Sequence, residues 1–171
     1  MKLRLILFTE CDRNCEGCCN QDWDIPNLPD AGINELEQYE EIMLTGGEPM
    51  LAPLLVHQVI NNIREVSKAK VYVYTAKMVP IFELAAVLMH SDGITITLHE
   101  QEDVYSFLEF ARYIDINALK IKNKSLRLNI FKGILLPSNI DNQWVIKQDI
   151  EWLKNCPLPE GETLKKYNQS F

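Results

Sequence analysis

The sequence predicts an α/β protein: a partial (β/α) barrel of about five to six parallel β/α units in a single domain, residues 1–171. Three observations predict it. Strand-like and helix-like segments alternate along most of the chain. No low-complexity insert or interdomain linker interrupts them. The two stretches richest in chemistry follow the first and second strands. Regular β-then-α order argues for parallel strands, right-handed crossovers and helices packed outside. Five units are too few to close an eight-fold barrel, so the sheet is open or a partial barrel. In both forms ligands gather at the carboxyl ends of the strands.

The elements follow in order. KLRLILF (2–8) is a leucine- and isoleucine-rich run that suits a buried strand. A loop with Pro26 and Pro29 comes next, then INELEQYE (33–40), read as a short helix. EIMLTGG (41–47) is a second strand that stops at paired glycines. In 51–69, Leu55, Val59, Ile63 and Val66 keep a helical spacing. KVYVYTA (70–76) is a third strand, dense in β-branched and aromatic residues. PIFELAAVLMH (80–90) opens a helix with proline at its first turn. GITITLH (93–99) is a fourth strand, 102–114 a helix, and SLRLNIFKGILL (125–136) a fifth strand. NQWVIKQDIEWLKN (142–155) reads as the last helix, and 157–171 carries no motif and reads as a candidate flexible tail.

Composition narrows the function classes. Apolar residues make up 47% and charged residues 24%, an ordinary globular balance. A formal charge of −7 lacks the basic footprint that electrostatic duplex binding requires, so general nucleic-acid binding is disfavoured. No apolar stretch approaches a membrane span, and the N-terminal apolar run is too short for a signal sequence. The expected address is cytoplasmic, where stable disulfides are rare and clustered cysteines more often bind metal or do redox chemistry.

Four of the five cysteines lie in FTECDRNCEGCCNQDW, residues 8–23. The spacing is Cys11-x-x-x-Cys15-x-x-Cys18, with Cys19 adjacent. A closed zinc site wants four ligands, usually as two separated pairs. The remaining candidates would be Cys19, Cys156, His57, His90 and His99, and adjacent cysteines join one tetrahedron awkwardly. A redox pair Cys15-x-x-Cys18 leaves Cys11 unexplained. Three thiolates on a tight loop suit a four-iron, four-sulfur cluster with one iron left without a protein ligand.

The Cys-x-x-x-Cys-x-x-Cys spacing after a first strand resembles the signature of the radical S-adenosylmethionine enzymes, and so implies their core fold. In that family three cysteines hold the cluster and the fourth iron chelates the methionine end of S-adenosylmethionine. The resemblance assigns Cys11, Cys15 and Cys18 as cluster ligands. A second motif, Leu44-Thr45-Gly46-Gly47-Glu48-Pro49, stands where the family places its contact to the methionine amino group. Glycines allow close backbone approach to a ligand. A carboxylate accepts a charge-assisted bond from an ammonium. The resemblance therefore assigns Gly46, Gly47 and Glu48, with Pro49, to the cosubstrate. It places ribose and carboxylate contacts near the later strand ends, at Tyr74 and Thr75, Thr97, His99 and Glu100, and Arg127 and Asn129. Thr97 and Asn129 are preferred because uncharged side chains can bond ribose hydroxyls.

One position departs from the pattern. Many relatives carry an aromatic residue just before the third cluster cysteine, and this chain has Gly17. The form Cys15-Glu16-Gly17-Cys18-Cys19-Asn20 instead resembles the small activating enzymes of anaerobic ribonucleotide reductase, with Cys19 where tyrosine is usual. Cys19 then reads as a packing residue and Cys156 as structural. Trp144 and Trp152 read as packing residues rather than a cofactor box, and Trp23 gives no separate lead.

The resemblance implies reductive cleavage of S-adenosylmethionine to methionine and a 5′-deoxyadenosyl radical, which abstracts hydrogen from a substrate. It also implies an external electron donor and, from the activating enzymes, a glycyl-radical protein as substrate. Two readings stand beside this one. One is a small-molecule enzyme resembling the 7-carboxy-7-deazaguanine synthases, which share a Thr-Gly-Gly-Glu-Pro stretch. The other is a zinc-binding interaction module with no catalysis.

Overall fold

The structure is a computed structural model, and it describes residues 1–117, 121–137, 140 and 143–168. Among these residues one eight-stranded sheet organises the chain, with every strand pair parallel. The strands are β1 (Lys2–Ile6), β2 (Asp30–Ala31), β3 (Glu41–Thr45), β4 (Lys70–Thr75), β5 (Gly93–Leu98), β6 (Ser125–Phe131), β7 (Trp144–Ile150) and β8 (Glu162–Tyr167). Their order across the sheet is β2-β8-β1-β3-β4-β5-β6-β7. The helices are α1 (Cys19–Asp22), α2 (Pro53–Val66), α3 (Ile81–His90) and α4 (Asp103–Ile116), with short 3-10 turns at Ile25–Asn27, Ile33–Gln38 and Pro49–Leu51. None of the described helices is long and apolar enough to cross a membrane.

Side-chain alternation gives the sheet two unlike faces. Leu3, Leu5, Ile42, Leu44, Val71, Val73, Ile94, Ile96 and Leu128 are buried with Val59 and Ile63 of α2, Leu84 and Leu88 of α3, and Phe107 and Phe110 of α4 in one apolar cluster. All three long helices therefore pack on the same face. The opposite face carries Arg4, Met43, Tyr72, Tyr74, Thr95, Thr97, Arg127 and Asn129, aligned by the strand register. Arg4 sits over the Tyr74 ring at 5.4 Å and Arg127 over Tyr72 at 5.8 Å, contacts of the cation–π kind. Arg4 also holds Glu162 of β8, with Nη2 donating at 2.7 Å. Next to that polar face a small second cluster joins Ile6, Ile25 and Leu164.

Three sequence expectations are corrected here. Residues 142–155 do not form a helix: Trp144–Ile150 is strand β7, paired with β6 at the sheet edge (Asn142 lies outside the described residues). The run Trp-Val-Ile favours a pleated surface, and Trp144 buries its ring between Phe107 and Phe110 of α4, at centroid distances of 5.0 and 6.5 Å. The remaining strand is exposed, which its polar alternation, Lys147 and Asp149, tolerates. Second, the stretch read as a flexible tail contains β8, which runs between β1 and β2 and bonds to both. Its burial pattern is weak because Lys165 and Lys166 use their charges on Glu35 and Asp30 instead of pointing into water alone. Residues 169–171 lie outside the described residues. The segment read as a short helix, 33–40, is a 3-10 helix over Ile33–Gln38, closed by Glu35 accepting from Gly32 N at 2.6 Å. The fifth strand ends at Phe131 rather than at 136.

Candidate metal and cofactor site

The cysteine loop leaves the carboxyl end of β1, and the Gly46-Gly47-Glu48 turn leaves that of β3, its parallel neighbour. The two are bonded directly. Gly47 N donates to Phe8 O at 2.7 Å and Glu48 N to Glu10 O at 2.8 Å. Gly46 has φ +108, and a Cβ there would lie 2.6 Å from Phe8 O. A Cβ on Gly47 would overlap the Glu10 carbonyl oxygen. Both glycines are thus required to let the turn lie against the segment that enters the cysteine loop.

Glu48 is 2% exposed. Its Oε1 accepts from Thr75 Oγ1 at 2.6 Å and from Met50 N at 2.9 Å, and its Oε2 accepts from Ala76 N at 2.8 Å. Burial raises the carboxyl's pKa, and these three donors work against that rise without cancelling it. Pro49 is buried as the first residue of the following 3-10 turn. Thr75, expected to face a ligand, is buried and spends its hydroxyl proton on Glu48 while accepting from Lys77 N at 2.9 Å. Its place is under the carboxylate, which it orients.

The three expected cluster cysteines are free: Cys11 is exposed, and Cys15 and Cys18 are half-buried. Burial raises the Cys11 and Cys15 thiols, and the neighbouring thiols push the same way: Cys18 on both, and Cys11 on Cys15. The thiols are therefore within electrostatic reach of one another. They do not form a ligand set as they stand, since no group of three His, Cys, Asp or Glu among the described residues could hold a metal ion. The donor chemistry fits an iron–sulfur cluster, being three soft sulfur ligands on one loop. Loading would require the loop to draw the thiols together and release their protons.

Thr97 and Asn129 are register partners on β5 and β6 and share the polar face, beside Thr95 and Arg127 one pair earlier. His99 follows at the rim. Its Nδ1 lies 3.9 Å from Cys15 Sγ, and burial together with the Arg13 charge lowers its pKa to about 4. The ring is therefore neutral at neutral pH.

Three features of the site went unread in the sequence. Arg13, inside the cysteine loop, donates to both carboxylate oxygens of Asp103, at 2.9 and 2.5 Å, and to Ala76 O at 3.0 Å. Asp103 Oδ2 also accepts from the amides of His99 and Glu100. This pair ties the loop to the ends of β4 and β5, and an arginine within the motif was the available signal. A polar cavity of about 400 Å³ lies alongside, lined by Asp12, Arg13, Lys77, Glu100 and Asp103. Second, Trp152 stacks on His99 at 5.2 Å and 17°. Third, Cys19 and Cys156 form a disulfide with Cα atoms 5.3 Å apart. Cys19 is thus not a plain packing residue, and Cys156 has a partner 137 positions away that no local pattern could reveal.

No protein-family model matches the chain, and no curated protein matches it as a relative.

Proposed function

We propose that the chain is a radical S-adenosylmethionine enzyme of the small activating type, with Cys11, Cys15 and Cys18 as the ligands of a four-iron, four-sulfur cluster. One observation carries the reading. Pairing of Cys19 with Cys156 leaves three free cysteines at Cys-x-x-x-Cys-x-x-Cys spacing, and the Gly-Gly-Glu turn is hydrogen-bonded to that same loop. The helices on one face and the polar opposite face support a partial barrel whose interior is the polar face.

When bound, cluster and S-adenosylmethionine would supply a 5′-deoxyadenosyl radical by reductive cleavage, with an electron from an external donor. The chain's own residues would bind and orient. Glu48, fixed by Thr75 Oγ1 and the amides of Met50 and Ala76, would accept from the ammonium of the methionine end. Gly46 and Gly47 would bring backbone close to it. Thr97 and Asn129 would offer paired polar groups to ribose hydroxyls from adjacent strands. His99, held neutral beside Cys15, would accept or donate one hydrogen bond without adding charge. Arg13 would fix the loop's middle through Asp103. The proposed substrate is a glycyl-radical protein, and the small-molecule reading would place a compact substrate over the polar face instead.

The test is anaerobic reconstitution with iron and sulfide, followed by dithionite and S-adenosylmethionine, with 5′-deoxyadenosine measured by chromatography. Wild type should turn brown and form 5′-deoxyadenosine, and Cys15→Ala should do neither. A colourless protein that binds zinc and forms no product would replace this reading with the zinc module.

A further inference from the structure

Between β7 and β8 the chain has to pass from one end of the sheet order toward the other. On its way, residues 151–156 lie against the cysteine loop. The Trp152 ring stacks on His99 and meets Phe131 at 4.4 Å. It also covers Gly17, where a Cβ would lie 2.8 Å from Trp152 Cγ. His99 in turn is the neighbour of Cys15. Four residues on, Cys156 is bonded to Cys19, the residue next to Cys18, and Trp23 Nε1 donates to Cys156 O at 3.0 Å. Asn155 and Cys156 both have left-handed backbone, φ +61 and +35, a conformation non-glycine residues seldom adopt unaided. The rest of this strap is open to solvent: Trp152 is 38% and Leu153 63% exposed. The covalent bond is its main anchor.

We propose that Cys19–Cys156 is a reversible dithiol–disulfide site, a latch that holds the Trp152 strap over the Cys15 side of the cysteine loop when oxidised and frees it when reduced. The co-reactant is a dithiol, of the small-molecule or protein class. One of its thiolates attacks a sulfur of the Cys19–Cys156 bond and forms a mixed disulfide. Its second thiol then displaces the first cysteine. The Cys19–Cys156 bond breaks and two S–H bonds form. The two electrons and two protons come from the dithiol, whose own S–S bond closes. Reduction breaks a cross-link spanning 137 positions and leaves the strap held by ring contacts, the Trp23 Nε1–Cys156 O hydrogen bond and the exposed Lys132–Glu151 ion pair. In a reducing compartment such bonds are characteristically transient or redox-sensing. Reduction also gives Cys18 a second thiol as its neighbour.

The test uses the full chain without metal, so that it is independent of the radical assignment. Unreduced protein is first denatured and alkylated: three modified cysteines are expected, and five would overturn the proposal by showing no disulfide. Folded protein is then treated with iodoacetamide, and modification of each cysteine is timed by site-resolved mass spectrometry. Alkylation of Cys15 should accelerate at least fivefold on reduction with dithiothreitol, and equally in unreduced Cys156→Ser. Cys11, already exposed, should change less than twofold. Oxidised Trp152→Ala should show the fast Cys15 rate, which identifies the ring as the cover. Trypsin cleavage after Lys154 should accelerate in the reduced form. A Cys15 rate indifferent to reduction in wild type would overturn the latch even if Cys156→Ser failed to fold.

Discussion

Gly47 lies so close to Glu10 that no side chain fits between them: a Cβ would overlap the Glu10 carbonyl oxygen. The same turn donates from Glu48 N to that oxygen. The contact between the two motifs is therefore made of backbone alone, and the glycine is fixed by what lies beside it. Its own φ is not in the left-handed region.

Gly47→Ala should consequently destabilise the fold by at least ~3 kcal/mol, through steric displacement of backbone on both sides. Gly161→Ala is the control. There φ is +80 but nothing lies within 4 Å, so only the left-handed penalty of about 1–2 kcal/mol applies. Urea unfolding of both variants checks the difference. Equal losses would mean that the turn moves away from the loop at little cost.

Arg13 and Asp103 give a prediction with a pH signature. Burial works to raise the Asp103 carboxyl, and the Arg13 bonds and the amides of His99 and Glu100 outweigh it, leaving it below its usual range. As pH falls below the ordinary carboxylate value near 3.8, the unfolded chain takes up a proton that the folded chain refuses. Stability is then lost until the folded pKa is passed. Asp103→Asn should cost about 3 kcal/mol at neutral pH, because Arg13 keeps a partly buried charge without its partner. The gap between wild type and variant should narrow as pH falls below that value. Thermal unfolding across acid pH measures it, and a pH-independent gap would assign the loss to packing.

Much of the architecture was legible because it is local. The helical spacing of Val59 and Ile63 and the β-branched run at 70–76 each decide an element within one window, and α2 and β4 stand where that reading put them. The meeting of the two motifs followed from parallel topology. What escaped depends on distant partners. Trp144 becomes a strand residue because β6 and α4 give it a pleated, apolar seat. Thr163 and Leu164 enter the sheet only because β1 lies beside them. Cys19 with Cys156, and Arg13 with Asp103, are pairings across 137 and 90 positions, and no periodicity encodes such a choice.

Trp144 tests the corrected element. Its indole Nε1 is buried without a hydrogen-bond partner among the described residues, while its ring packs edge-on against Phe107. Trp144→Ala should cost about 3–5 kcal/mol by leaving a cavity between β7 and α4. Trp144→Phe should cost less than half of that, since it keeps much of the ring and removes an unsatisfied donor. Chemical denaturation of both variants provides the comparison. A Phe variant as weak as the Ala variant would mean that the nitrogen has a partner after all.

Glu48 separates structure from chemistry. Every neighbour it bonds is a donor: Thr75 Oγ1, Met50 N and Ala76 N. Glu48→Gln replaces one acceptor oxygen with an NH2 group that must face a donor, so at least one buried bond is lost and one amide opposes another. The expected cost is about 2–3 kcal/mol, as for a hydrogen bond to a charged group with its desolvation unrecovered. Thr75→Val removes only the hydroxyl donor and should cost about 1–2 kcal/mol. The two losses should be less than additive, because both act on the same carboxylate. Binding of S-adenosylmethionine to the reconstituted protein then tells the roles apart. If Glu48 receives the ammonium, Gln should weaken binding by at least tenfold, and Val should weaken it only a few-fold. Equal weakening by both would make Glu48 a structural acceptor that braces the Gly-Gly turn.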